Sequence, residues 1–199
     1  GPEFRLSARY AFTDNFSVKA GFNSMRQYIH KLSNTVIMSP TDTWKLSDVN
    51  IKPQRGWQAA AGLYLNSPSG IWEYSVEGYY KRMSDYLDYR GGAKLLMNHH
   101  IETDVINTQG HAYGVELQVK KQVGKLNGWM SYTYSRTFLR QNDKRIEKPV
   151  NNGDWYPTEY DKPHDFKFVG NYKFTHRYSM SINVDYSTGR PTTIPAGQY

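Results

Sequence analysis

The sequence predicts an all-β protein, an antiparallel up-and-down meander of about eight strands forming the wall of a transmembrane β-barrel. Three observations lead there. Short turns centred on Asp14, Pro68, Gly124 and His176 recur at intervals of about 54, 56 and 52 residues. Between them apolar and polar residues alternate, the period of two that sends successive side chains to opposite faces of a strand. Every second connection is long instead, on the order of 20–25 residues, which is uncommon in compact domains. All three long connections fall at one end, as in barrels with short periplasmic turns and longer outer loops.

The first strand, Arg5 to Phe12, sets Leu6, Ala8, Tyr10 and Phe12 against Arg5, Ser7 and Arg9. The second sets Phe16, Val18, Ala20 and Phe22 against Ser17, Lys19, Gly21 and Asn23, and continues to about His30. A long polar stretch is expected up to Gly56. The third strand alternates from Trp57 to Leu65 and ends in a turn bearing Pro68 and Gly70. The fourth sets Trp72, Tyr74, Val76, Gly78 and Tyr80 against Glu73, Ser75, Glu77 and Tyr79. A second long connection runs from about Asp88 to Gly110. The fifth strand then sets Tyr113, Val115, Leu117 and Val119 against Gly114, Glu116, Gln118 and Lys120. In the sixth, Met130, Tyr132 and Tyr134 oppose Ser131, Thr133 and Ser135. A third long loop reaches from about Leu139 to Pro163. The seventh strand, Phe166 to Phe174, and the eighth, Tyr178 to Tyr186, place Asp165, Lys167 and Asp185 on their polar side. Each regular core is about 9–12 residues, the length that crosses a bilayer at a tilt.

Composition narrows the class. No run approaches the roughly 18 apolar residues of a membrane helix. Mean hydropathy is −0.75, which a barrel tolerates because half of each strand faces water. Aromatics make up 15% of the chain, led by 17 Tyr. Such rings suit a membrane–water interface, and equally a Tyr-rich soluble β-sandwich. The chain has no cysteine, which excludes disulfide scaffolds, thiolate zinc sites and thiol nucleophiles. The net charge of +7 admits nucleic acid as a partner. The Lys and Arg are scattered, however, and no nucleic-acid motif accompanies them. Solvated loops and anionic lipid head groups account for the excess more simply. Residues 1–4 read as a protease-and-cloning remnant, with 5–199 as the barrel segment and any targeting signal outside it.

Candidate chemistry is sparse. His99 and His100 with Glu102 and Asp104 lack the spacing of a helical metal pair, so an exposed polar loop is expected. His164 and Asp165 beside Asp161 have no nucleophile motif with them. Gly91 and Gly92 lack the Lys that completes a phosphate loop. Glu73, Glu77 and Glu116 have the makings of an acid/base pair, but cross-strand pairing with Lys19, Lys120 and Lys81 is the plainer expectation. Lys167 and Asp185 complete the set of charges expected to face a wet lumen. The long loops are better functional candidates, because large rings beside polar groups anchor ligands on adaptable segments. Asp42, Trp44 and Lys45 stand in the first loop, and His99, His100 and Asp104 in the second. Asp154, Trp155, Tyr156 and Asp161 stand in the third. Trp44 and Trp155 fit equally as packing over a barrel mouth.

Several motifs, in order, resemble the barrel of TonB-dependent outer-membrane receptors of the Bacteroidetes type. They are RLSARY at 5–10, MRQYIHKLSN at 25–34, SPTDTWKLSD at 39–48, YGVE at 113–116 and WMSYTYSRT at 129–137. NGDWYP at 152–157, YDKPHD at 160–165 and YSTGRP at 186–191 follow. The resemblance implies a barrel of about 22 strands with a plugged lumen. It implies capture of a siderophore, cobalamin, glycan or peptide by outer loops, and a TonB protein that pulls on the plug. No covalent chemistry and no cofactor are implied. By the same resemblance the chain is part of a larger transmembrane β-barrel and covers roughly the twelfth to nineteenth strands. Neither plug nor TonB-binding segment is expected within it.

Two other readings stay open at this stage: a complete eight-stranded outer-membrane barrel acting as adhesin or porin, and a soluble β-sandwich that binds glycans. In the barrel-segment reading the partners are lipid or lipopolysaccharide, the plug, TonB through it, and the nutrient. Open sheet edges are expected to make the isolated chain self-associate.

Overall fold

The computed structural model describes residues 2–32, 43–47, 51–89, 105–141 and 149–191. Eight strands form one antiparallel sheet in meander order. They are β1 (Arg5–Ala11), β2 (Phe16–Gln27), β5 (Gln54–Asn66), β6 (Trp72–Tyr89), β7 (Val105–Lys121), β8 (Leu126–Gln141), β10 (His164–Lys173) and β11 (Ser179–Ser187). Two short strands, β3 (Ile29–Leu32) and β4 (Thr43–Leu46), pair as a separate hairpin, and β9 (Tyr156–Pro157) pairs with β8. Among the described residues β1 and β11 are the open edges of the main sheet.

Up to a bulge in β6, the registers keep one set of side chains on one face. A single row reads Leu6, Phe22, Ala59, Tyr80, Tyr113, while two steps along another reads Ala8, Ala20, Ala61, Gly78, Val115, Tyr134. A one-residue slip at any pairing would mix the faces. What distinguishes this sheet is which face is covered. The apolar face is open, with Leu63 48%, Val76 42%, Leu117 43% and Val184 45% exposed. On β5 the polar-face residues Gln58, Gly62 and Tyr64 are the less exposed ones. A sheet shelters its concave side, so the polar face is concave and the apolar face convex. A soluble sheet shows the opposite order. A β-sandwich would need a second sheet over the apolar face, and among the described residues the only other sheet is the β3–β4 hairpin.

Rings collect at both ends of the convex face. At the short-turn end Tyr10 and Phe12 lie 4.8 Å apart, Trp72 and Tyr74 6.3 Å, and Tyr172 and Phe174 4.7 Å. Toward the long-loop end Phe22, Trp57 and Tyr80 follow one another at 6.1 and 5.6 Å. Trp72 to Tyr80 spans eight steps, roughly 27 Å along the strand. Tilted by about 35–45°, that is roughly 20 Å of height, close to the apolar band of an outer-membrane barrel.

The structure corrects the sequence reading at the long-loop end. The first long connection is not polar coil throughout. The second strand breaks at Tyr28, and Ile29 pairs with Leu46 in the β3–β4 hairpin, closed by a 2.8 Å bond from the Ser47 amide to the Tyr28 carbonyl. Only four residues a side alternate there, too few to stand out from their polar surroundings. Four strands overrun their expected ends: β5 starts at Gln54, β6 and β7 have 18 and 17 residues, and β8 has 16. The expected 9–12 residues cross the band, and the excess projects beyond it.

The small core also lies in this projection. Met83, Ile106, Ala112, Leu139, Thr108 and Asp161 are all buried to 7% exposure or less. A bulge interrupts β6, where the register jumps from Met83–Gly110 to Tyr86–Thr108. Asp85 sits in the bulge at φ +56, a left-handed value that Asp tolerates better than most residues. The one extra residue reverses the alternation, so Tyr86 joins Thr108 on the concave side.

Candidate functional site

The charged side chains of the concave face form a string rather than a catalytic cluster. Lys19 Nζ lies 4.3 Å from the centre of the Tyr64 ring, and Tyr64 Oη donates to Glu77 Oε1 at 2.7 Å. Glu77 faces Glu116 directly across β6 and β7. Lys120 pairs with Glu73 at 3.5 Å, and Gln122 Nε2 also donates to Glu73. Lys167 lies 3.4 Å from Asp165 and opposite Asp185. Of the three expected Glu–Lys pairs, only Glu73–Lys120 forms. Glu77 takes a tyrosine instead, because Tyr64 reaches across Gly62, where no side chain intervenes. Among the described residues Glu116 and Lys81 have no ion-pair partner.

The loop residues separate into groups. Asp42, His99, His100 and Asp104 lie outside the described residues. Trp44 is 62% exposed on the β3–β4 hairpin, where the Lys45 backbone pairs with that of His30. In the third loop the described residues run from Pro149 onward. Asn151 and Asn152 at φ +51 and +54 reverse the chain, the Asp154 amide donates to the Asn151 carbonyl at 2.9 Å, and Tyr156 pairs with Leu139 in β9. That pairing turns Trp155 to the convex side, edge-on to His111 at 4.3 Å, whose ring lies 5.4 Å from that of Phe138. Trp155 thereby extends the ring belt instead of covering the concave mouth. Asp161 is 3% exposed and spends both carboxylate oxygens on β8, accepting from Arg136 Nε at 2.9 Å and from the Thr137 amide at 2.7 Å. Tyr132 Oη and His164 Nδ1 lie 2.8 Å apart on the convex face, away from Asp165, so the His164–Asp165 pair is divided between two faces.

The concave surface just inside the projecting strands holds a hollow that sequence reasoning missed. Its volume is about 350 Å³, and Gln58, Tyr79, Lys81, Met83, Thr137 and Tyr160 line it. A second hollow of about 470 Å³ adjoins it, sharing Lys81 and Met83 and bordered by Met25, Gln27 and Gln54. Local backbone explains the first. Tyr79 stands opposite Gly114, and its ring lies where a Cβ would sit, 2.8 Å away. The Thr158 amide bonds the Thr137 carbonyl at 3.1 Å, and the Asp161 amide bonds Thr158 at 2.9 Å. This turn swings Tyr160 inward, where its hydroxyl donates to Tyr86 Oη at 3.2 Å. Two tyrosine rings, the Gln58 amide and an unpaired ammonium suit a hydroxyl-rich or anionic ligand, held by stacking and hydrogen bonds. They offer no nucleophile–base pair. Among the described residues no cluster of three metal-ligating side chains exists. The alternation had placed Tyr79 and Glu77 together on the polar face. Nothing local says that Tyr160, about eighty residues on, meets Tyr79.

Residues 4–198 match the family model described as TonB dependent receptor-like, beta-barrel. No curated protein matches the chain. A sheet that hides its polar face, opens its apolar one and rings both ends with aromatics is a membrane wall by its own physics. With nearly the whole length matched, the chain belongs to the TonB-dependent receptor-like β-barrel family.

Proposed function

We propose that this chain is a stretch of wall from a larger TonB-dependent receptor barrel of the Bacteroidetes type. Its concave face lines the path of an imported siderophore, cobalamin, glycan or peptide. The hollow around Tyr79, Lys81 and Tyr160 contacts that nutrient at the outer mouth. A plug domain, and TonB acting through it, are the partners that energise transport. The observation that carries this reading is the inverted exposure of the sheet, polar inside and apolar outside. The open edges β1 and β11 favour a larger wall over a complete eight-stranded barrel, and they make self-association the expected fate of the isolated chain.

Since the chain has no cysteine, single cysteines test the reading without background. The folded protein is placed in a bilayer and treated with a water-soluble maleimide. Glu77→Cys and Lys19→Cys label, whereas Val76→Cys and Leu63→Cys label only with a lipid-phase reagent. Equal aqueous labelling of all four would sink the proposal. Tyr79→Ala and Lys81→Ala, placed in the receptor carrying this segment, lower nutrient uptake and leave maleimide labelling unchanged.

A further inference from the structure

The outer part of the concave face is a trough that runs across the strands rather than along one. A polar row crosses it, with Asn23, Gln58, Lys81, Ala112 and Thr137 standing opposite one another on β2, β5, β6, β7 and β8. At about 4.8 Å per strand spacing the row is roughly 19 Å long. The rows on either side are rich in small residues. Gly56 and Gly110 stand on the long-loop side, and Gly21, Ala60 and Gly114 on the other. Met83 and Leu139 cover Gly110, and the Tyr79 ring covers Gly114, whereas a Cβ at Gly56 would meet only the Arg82 carbonyl, at 3.4 Å. The two hollows are the open stretches of this trough, and they meet at Lys81 and Met83.

The lining states what the trough can hold. Tyr79, Tyr160, Gln58 and Thr137 offer ring faces, an amide and a hydroxyl in the first hollow. Gln27 and Gln54 add two amides in the second, beside the apolar Met25. No Asp or Glu lines either hollow, and the cations are Lys81 at their junction and Arg26 at the border of the second. Asp161 is spent on Arg136 and the Thr137 amide. Lys81 therefore stands without a carboxylate, on a face where Lys120 and Lys167 each have one. Ring faces take the C–H side of a sugar, while amides and hydroxyls take its hydroxyl groups. A free ammonium takes a carboxylate through a charge-assisted bond. An extended peptide binds a sheet by adding a strand to an open edge, but β5, β6, β7 and β8 are each paired on both sides. The reach across five strands suits a chain rather than a compact chelate.

We infer that the trough binds an acidic oligosaccharide. The sugar chain lies across β2 to β8, with a uronate carboxylate on the Lys81 ammonium and sugar faces against Tyr79 and Tyr160. This rests on the import reading, in which the concave face is the path of the nutrient.

The test is isothermal titration calorimetry on the folded protein in detergent. The probes are tetramers of galacturonate, glucuronate and mannuronate, the same tetramers with every carboxyl reduced to a primary alcohol, and tetraglutamate. At least one uronate tetramer binds about 10-fold more tightly than its reduced counterpart, the worth of one hydrogen bond to a charged group. Lys81→Gln removes that preference and leaves the affinity for the reduced tetramer as it was, and Lys81→Arg retains the preference. Tyr160→Ala weakens both forms together by about five-fold. Gly56→Leu fills the second hollow and abolishes the advantage of a uronate tetramer over the dimer. Lys125→Gln, at the short-turn end, changes none of these values. Heat-modifiable migration on gels checks that each variant is folded.

No binding by any uronate tetramer, equal binding of each tetramer and its reduced form, or a preference that survives Lys81→Gln overturns the inference. Tetraglutamate bound as tightly as the uronates does so too, by showing an acidic-peptide site. Where these failures accompany the expected maleimide contrast between Glu77→Cys and Val76→Cys, the wall reading stands and only the ligand of the trough is wrong. Where that contrast itself is absent, the wall reading falls with it.

Discussion

Replacing Asp161 separates a structural role from a ligand role at the outer mouth. Its carboxylate is 2% exposed and holds the third loop to β8 through Arg136 and the Thr137 amide. A hydrogen bond to a charged acceptor is worth roughly 1.5–3 kcal/mol. The Arg136 side chain is 27% exposed, so solvent screens that pair and it adds about 1 kcal/mol. Asp161→Ala removes both and leaves the Thr137 amide unsatisfied, a cost of about 3 kcal/mol. Asp161→Asn keeps a neutral acceptor and costs about 1 kcal/mol. The affected unit is local, namely the turn at Thr158 to Asp161 and strand β9. Amide hydrogen exchange of the folded protein in detergent reads it directly. Exchange at Thr137 and Thr158 speeds up on the order of 100-fold in the Ala variant and about five-fold in the Asn variant. Exchange at Val115 and Val76, inside the girdled band, stays as it was. If nutrient capture falls in Asp161→Asn while loop exchange stays at the wild-type rate, the residue is a ligand contact and the structural argument fails.

Other perturbations probe other parts of the wall. Gly128 has φ +154, and a Cβ there would run into the Val169 carbonyl across the β8–β10 pair. Gly128→Ala is expected to cost about 3 kcal/mol and to abolish the compact, heat-modifiable gel species. Glu116→Lys turns the Glu77–Glu116 repulsion into attraction, contributing about 0.2–1 kcal/mol and raising the urea midpoint of the bilayer-refolded chain. His30, on the hairpin outside the girdled band, is 3% exposed, and its Nε2 lies 3.0 Å from Ser47 Oγ. Burial pushes its imidazole below the ordinary 6.5. The fold therefore resists a proton that the unfolded hairpin accepts, so hairpin stability is full above about pH 6.5 and falls below it. Proteolysis of residues 28–47 should accelerate as pH drops, and His30→Gln should flatten the profile.

The girdled part of this fold was written in the sequence because one local rule governs it. Alternation puts Val76 in lipid and Glu77 in water whatever the neighbouring strand does, and turns at Pro68 and Gly124 punctuate it. The rule stops where the wall leaves the membrane. At Asp85 a bulge reverses the faces, and no composition cue near Met83 marks it. The β3–β4 hairpin alternates too briefly to register. Trp155 reads as a mouth residue from its loop, but a two-residue pairing with Phe138 and Leu139 decides which side it faces. The hollow at Tyr79 depends on Gly114, which alternation does expose, and on Tyr160, which only the distant Thr158–Thr137 bond brings near. Long-range loop contacts of this kind leave no period to read.

Every pairing in the main sheet joins strands that follow one another along its path, and each short turn closes one up-down unit. The width of such a wall is therefore quantised in pairs. Excising β7 and β8 together would return the chain to the same rim, with β10 still presenting Phe166 outward and Lys167 inward. Excising β7 alone would deliver β8 to the wrong rim and leave every later segment running in the wrong direction. A gene encoding this architecture can change pore diameter by whole hairpins, but single-strand losses are barred by geometry before selection on the cargo comes into play.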